Sequence, residues 1–148
     1  MTMAENKKAQ DLIKYLEDLF AKLPNLPKGG REGLVKIAPW LALIFGILGV
    51  LGGLSAIGFS PLALFVGVSA SFNVLISGVA AIIASVLLLM AYPKLSKHAY
   101  KGWELLFWSE IVNAVGALLS ISASNVLGIV LGIGLGFYLI FQIKSYYK

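Results

Sequence analysis

From Ile37 to Pro93 the chain carries no Lys, Arg, Asp or Glu, and from Ile111 to Ile143 it again carries none. A single bilayer crossing needs only about 20 apolar residues in a helix, so each run is long enough to hold more than one element. A soluble domain is usually about a quarter charged. Here only 13% of 148 residues are charged, while 59% are hydrophobic. Lipid offers no hydrogen bonds to a bare backbone, so helices are the economical solution for such runs. The predicted fold is an all-α integral membrane protein with four transmembrane helices, at about 37–57, 71–92, 102–121 and 125–143. Pro39 falls in the first turn of the first span, Trp40 at interface level, and Pro93 stops the second. The intervening GFSPLALFVGVSA is apolar but broken by Gly58, Pro61 and Gly67. It fits a short outer interfacial helix at 61–68, or a long, tilted second span.

The charges sort to one side. Lys7, Lys8, Lys14, Lys22, Lys28, Arg31 and Lys36 precede the first span; Lys94, Lys97 and Lys101 separate the second and third; Lys144 and Lys148 follow the fourth. Residues 58–70 and 122–124 carry no charge. By the positive-inside rule both termini are expected in the cytoplasm, in a multi-pass protein of the cell (inner) membrane. Such one-sided charge argues against an antiparallel dual-topology dimer. The anionic inner leaflet is the simplest partner for these basic flanks, and nucleic acid need not be invoked. The polar first 36 residues lack the apolar core of a cleavable signal.

Residues 1–36 are expected to hold an amphipathic cytoplasmic helix and a Pro/Gly hinge. Leu12, Ile13, Leu16, Leu19, Phe20 and Leu23 recur on one helical face, and Pro24, Pro27, Gly29 and Gly30 then turn the chain toward the first span. The polar face mixes Lys14 and Lys22 with Asp11, Glu17 and Asp18. It is nearly neutral, whereas interfacial helices are typically Lys/Arg-rich. Residues 10–23 therefore suit the leaflet surface or a protein partner equally.

Glycines recur every fourth residue in the fourth span, at Gly128, Gly132 and Gly136, and on a similar stripe in the first, at Gly46, Gly49 and Gly53. Without a hydrophobic force between helices in lipid, close backbone approach through small residues drives association. The stripes serve packing within one bundle or a homo-oligomer seam.

Two acids enter the third span. Glu104 lies about 3 Å inside its start and Glu110 about 12 Å, at about 1.5 Å per residue. Glu104 is expected at the interface beside Lys101, its head snorkelling to water. Glu110 is too deep for that. The two point about 120° apart and cannot form a carboxylate pair. Glu110 shares its face with Asn113, Ala114, Ala117 and Ser120, which must turn toward protein. At matching depth stand Ser85 on the second span, Gly46 on the first, and Gly134 and Gly136 on the fourth. No Lys or Arg lies within any span, so Glu110 is expected to carry a proton. Glu110, Asn113 and Ser85 thus form the candidate intramembrane polar or proton site. Trp103 and Trp108 flank it and read as belt residues.

The chain has no cysteine and one histidine, His98, so thiolate and multi-histidine metal sites are excluded. No cofactor or metal site is expected. No HExxH, phosphate loop or dinucleotide fingerprint is present, and no enzyme activity is expected. In size and number of spans the chain looks like the small multidrug resistance transporters, but those carry their essential glutamate in the first span, where this chain has no acid. No family is assigned on that likeness. The sequence reads first as a structural or accessory membrane module that self-associates or binds lipid or protein. The alternative is a small proton-coupled transporter or channel built on Glu110.

Overall fold

The computed structural model describes residues 3–120 and 126–148, with side chains from Asn6 onward. The expected third-span end at Ile121 and fourth-span start at Asn125 lie outside the described residues. The described chain is all-helical: α1 (Met3–Phe20), α2 (Lys28–Phe59), α3 (Val68–Leu95), α4 (Tyr100–Leu119) and α5 (Val126–Ile143), with 3₁₀ turns at Leu62–Phe65 and Lys144–Tyr146. Three helical stretches, Lys28–Phe59, Val68–Leu95 and Val126–Tyr146, are long and apolar enough to cross a membrane. Their outward faces carry exposed Trp40, Phe45, Leu48, Leu51, Leu54, Leu127 and Leu135. So much contiguous apolar surface is foreign to a water-soluble monomer and fits a membrane location. Glu104, Glu110 and Asn113 dilute the apolar character of the 20-residue α4.

Side-chain meetings set the register. Gly46 faces Leu89, Gly49 faces Ser85 and Gly53 faces Ile82, so α2 and α3 run antiparallel. Gly116 against Ala80 and Gly102 against Leu95 make α3 and α4 antiparallel. Trp103 Nε1 donates to the Ile140 carbonyl at 2.7 Å, and Phe107 meets Phe137, which reverses direction again between α4 and α5. The bundle is up-down-up-down, with the starts of α2 and α4 and the ends of α3 and α5 gathered at one basic end.

Several boundaries differ from the sequence expectation. The α2 helix begins at Lys28, so Gly29, Gly30 and Gly33 lie within it and the hinge shrinks to residues 21–27. Pro27, at φ −51°, has its carbonyl accept the Arg31 N–H at 3.1 Å, which starts the helix ahead of the glycines. Pro39 is thereby well inside α2, where a missing N–H is tolerated in a long packed helix. The α3 helix runs through Pro93 to Leu95. It ends in a turn where His98 takes a left-handed φ of 53° and Ala99 N–H reaches the Lys94 carbonyl at 3.0 Å. Of residues 58–70, the first two close α2 and the last three open α3, which is longer than the expected second span. Between them the anticipated short helix is a single 3₁₀ turn at Leu62–Phe65, leading to Gly67, whose φ of 145° suits glycine.

The amphipathic arm folds back onto its own bundle. Ile13 is 1% exposed, Leu16 and Phe20 pack with it, and the Phe20 ring stacks on Phe141 at 5.7 Å and meets Phe137 at 6.1 Å. Leu12, Leu19 and Leu23 stay exposed, and Leu23 lies beyond the helix end. The six-residue stripe is therefore split, with Ile13, Leu16 and Phe20 facing inward. Polar contacts fasten the arm and linker to α5 and the turn after it: Tyr138 OH donates to the Pro24 carbonyl at 2.6 Å, Leu26 N–H to Gln142 Oε1 at 3.1 Å, and Lys144 pairs with Glu17 of α1. Ile13→Asp is expected to free the arm, because a lone buried charge costs about 3 kcal/mol or more. Tryptic cleavage at Lys14 and Lys22 should then quicken at least about tenfold, while Leu19→Asp leaves it unchanged. Equal cleavage of both variants would contradict the docked arm.

Candidate functional site

The basic end of the bundle is closed by aromatic rings. Trp103, expected in an interfacial belt, is 0% exposed. Tyr100 stacks on it at 5.4 Å, Phe107 at 5.8 Å, and the Lys144 ammonium lies 5.3 Å over its ring. Enclosure follows from the indole N–H finding the Ile140 carbonyl, which removes the cost of burying that donor. Trp108 is half-buried, edge-on to Phe107.

Glu104 pairs with Lys101 at 3.0 Å one turn earlier on α4, as expected, but its side chain is only 17% exposed and does not reach out to solvent. Glu110, further along, points into the interior. It lines a cavity of about 410 Å³ between α2, α3, α4 and α5, together with Ser85, Ser109, Asn113 and Gly136. Apolar side chains such as Phe45 and Leu88 make up most of the remaining wall. Among the described residues Glu110 has no ion pair, since the two ion pairs there join Lys101 to Glu104 and Lys144 to Glu17.

Gly136 creates the room for this carboxylate. A Cβ placed on Gly136 would meet the Glu110 carboxylate, with Cδ at 2.6 Å. Ser85 shares the cavity but turns its hydroxyl to its own helix, donating to the Ala81 carbonyl at 2.5 Å. Ser109 likewise donates to Leu106 at 2.8 Å. Both hydroxyls keep acceptor capacity toward the cavity. Asn113 also borders a second cavity of about 250 Å³, lined by Ser77, Gly116, Ala117 and Ser120. The two cavities share Ala81 and Asn113 as wall. Asn113, expected to be enclosed by protein, is exposed at the edge of α4, because no neighbouring helix covers that side.

The glycine stripes divide by partner. Gly46, Gly49 and Gly53 pack against α3, Gly136 against Glu110, whereas Gly128, Gly132 and Gly134 face open space. Sequence reasoning missed Gly78, Gly102 and Gly116, which are equally close-packed. The small-residue run SGVAAIIAS around Gly78 was a signal for the first; Gly102, at a turn, had none. Ser109 was also missed, although it adjoins Glu110 in sequence. No grouping of three or more potential metal-ligating side chains occurs among the described residues.

Comparison with protein-family models, curated proteins and solved structures finds no match.

Proposed function

We propose that the chain is a small proton-coupled transporter of the cell's inner membrane, with α2 to α5 as four spans and both termini in the cytoplasm. One observation carries this reading: Glu110 lines a cavity of about 410 Å³ shared by four helices instead of being packed shut. A purely structural acid would be expected to hydrogen-bond a neighbour and fill its space. Here the carboxylate lies in the room left by the missing side chain of Gly136, and the cavity continues beyond it. An acid facing a cavity inside the membrane is the usual place for a proton relay. The mostly apolar wall suits a small, largely apolar solute, and Ser85, Ser109 and Asn113 would orient it. The positive-inside count supports the orientation.

The test is flux in liposomes. Purified protein should couple an imposed pH gradient to uptake of solutes from a small apolar panel, read with an internal pH dye. Glu110→Gln, which keeps shape but cannot release a proton, is expected to lower coupled flux about a hundredfold. Equal flux in both proteins, or none in either, would end the transport reading. The accessory, self-associating reading draws on a separate observation: Gly128 and Gly132 present a smooth, open face on α5.

A further inference from the structure

The Glu110 cavity is closed on three sides and open on the fourth. Where it runs toward the basic end its wall includes Ala38, Ala42 and Ile143, all buried. Ser85 of α3 and Ser109 of α4, in the depth of the wall, are each 3% exposed. The exposed residues of the lining are Leu41 and Phe45 on α2, Leu139 on α5 and Asn113 at the edge of α4. Phe45 is 57% exposed and Leu139 39%. The mouth therefore lies between α2 and α5, the pair of helices at the two ends of the up-down-up-down order. Phe45 stands about 12 Å along α2 from Ile37, where the uncharged run begins, at about 1.5 Å per residue. Both helices are long and apolar enough to cross a membrane, and a mouth at that depth then opens on acyl chains and not on water.

The carboxylate inside is available. No hydrogen bond or ion pair holds Glu110 among the described residues, and neither of its oxygens is sealed off. The rest of the wall narrows the choice of occupant. A hard divalent cation takes about six or more oxygen ligands, whereas the polar side chains here are those of Ser85, Ser109, Glu110 and Asn113. A wholly apolar solute would leave the carboxylate unmatched. An apolar body carrying one basic nitrogen matches both surfaces.

We propose that the Glu110 cavity is loaded sideways from the bilayer, between α2 and α5, and that its solute is a lipophilic amine. This deepens the proposed function and rests on its placing of α2 and α5 across the bilayer. The neutral amine dissolves among the acyl chains and enters past Phe45 and Leu139. Inside, the O–H bond of the Glu110 carboxyl breaks and an N–H bond forms on the amine lone pair, leaving a carboxylate paired with an ammonium. An alkylamine is the stronger base by about 6 pKa units in water. The charge-assisted N–H···O bond then satisfies the carboxylate, and Leu41, Phe45, Leu88 and Leu139 cover the apolar body.

The full-length protein should be placed in phosphatidylcholine nanodiscs, where both aqueous faces are open to reagent. It is then treated with dicyclohexylcarbodiimide or with a quaternary, membrane-impermeant carbodiimide. Addition at Glu110 is read by peptide mass spectrometry, with Glu110→Gln as the blank. The lipid-soluble reagent is expected to label Glu110. The impermeant one should leave it unlabelled while reaching the exposed Asp18. N,N-dimethyl-4-phenylbutylamine, a tertiary amine that cannot couple to the activated acid, should protect Glu110. For equal protection 4-phenylbutanol should need a membrane concentration at least about tenfold higher, because it lacks the charge-assisted bond. Leu139→Trp should lose most of the labelling by filling the mouth. Leu48→Trp, on the exposed face of α2 outside the cavity, should label as wild type. Labelling by the impermeant reagent, by neither reagent, or equally in the two tryptophan variants would overturn the sideways route. Equal protection by the alcohol would overturn the amine. Flux separates this inference from the reading beneath it. Protein that is labelled and protected but moves no solute refutes transport and leaves the amine site standing, whereas coupled flux without labelling from the lipid refutes the loading route alone.

Discussion

Gly136→Ala is expected to abolish most coupled flux while leaving the bundle folded. The added methyl would occupy the position of the Glu110 carboxylate, with Cδ only 2.6 Å from the new carbon. The obstructed atoms are the far end of a flexible side chain, so the carboxylate swings aside and the helices need not part. The forced rotamer costs about 0.5–1.5 kcal/mol. Alanine in place of glycine returns about 0.5–1 kcal/mol of helix stability. Net stability should therefore change by less than about 1 kcal/mol. The acid, however, moves by about an ångström or more within its cavity, and misplacement of that size costs roughly a hundredfold in rate. Gly132→Ala is the control, because nothing lies within 4 Å of a Cβ there. Flux and thermal stability measured on the same three proteins would separate the effects. Wild-type flux in Gly136→Ala would remove the Glu110 position from the mechanism.

The largest effect on stability is expected at Gly53, one residue from a position that should tolerate the same change. A Cβ on Gly53 would lie 2.7 Å from the Gly78 carbonyl oxygen and 3.2 Å from the Ile82 backbone nitrogen. Reciprocally, a Cβ on Gly78 would lie 3.0 Å from the Gly53 oxygen. At this crossing backbone meets backbone, so no rotamer change relieves the clash and α2 must lift off α3. Gly53→Leu is expected to destabilise by about 3 kcal/mol or more, at the upper end for overpacking. Gly52 faces open space, and Gly52→Leu should shift stability by no more than about 0.5 kcal/mol. Equilibrium unfolding in mixed detergent micelles would compare them. Equal midpoints for the two variants would refute the glycine crossing.

The placing of Glu110 shows how far the residues alone could be read. Counting rise along antiparallel helices puts Ser85, Gly46, Gly134 and Gly136 near the level of Glu110. Ser85 and Gly136 line its cavity, whereas Gly46 packs against Leu89 and Gly134 faces open space. Depth and helical angle are periodic, so they survive any reasonable packing. Hydroxyl direction is not periodic: Ser85 turns back to Ala81, because a serine in a helix has a carbonyl one turn behind it always within reach. Trp103 marks another boundary. Near a helix end its position suggests a belt, and only the return of α5 beside it leaves its ring, like that of Phe107, fully enclosed.

The glycine stripes of α2 and α5 look alike on a helical wheel, yet Gly53 is locked against α3 while Gly128 and Gly132 are bare. The arm likewise shows one apolar stripe of which Ile13 is buried and Leu12 and Leu19 are not. From its residues alone this chain declares helices, long uncharged runs and charge gathered at one end, because these depend on local periodicity and on the cost of placing charge in lipid. Which glycine meets a backbone, which acid opens on a cavity and between which helices that cavity is open were decided by tertiary structure. Those outcomes depend on how neighbouring helices are turned and spaced, and no single helix encodes its neighbour's rotation.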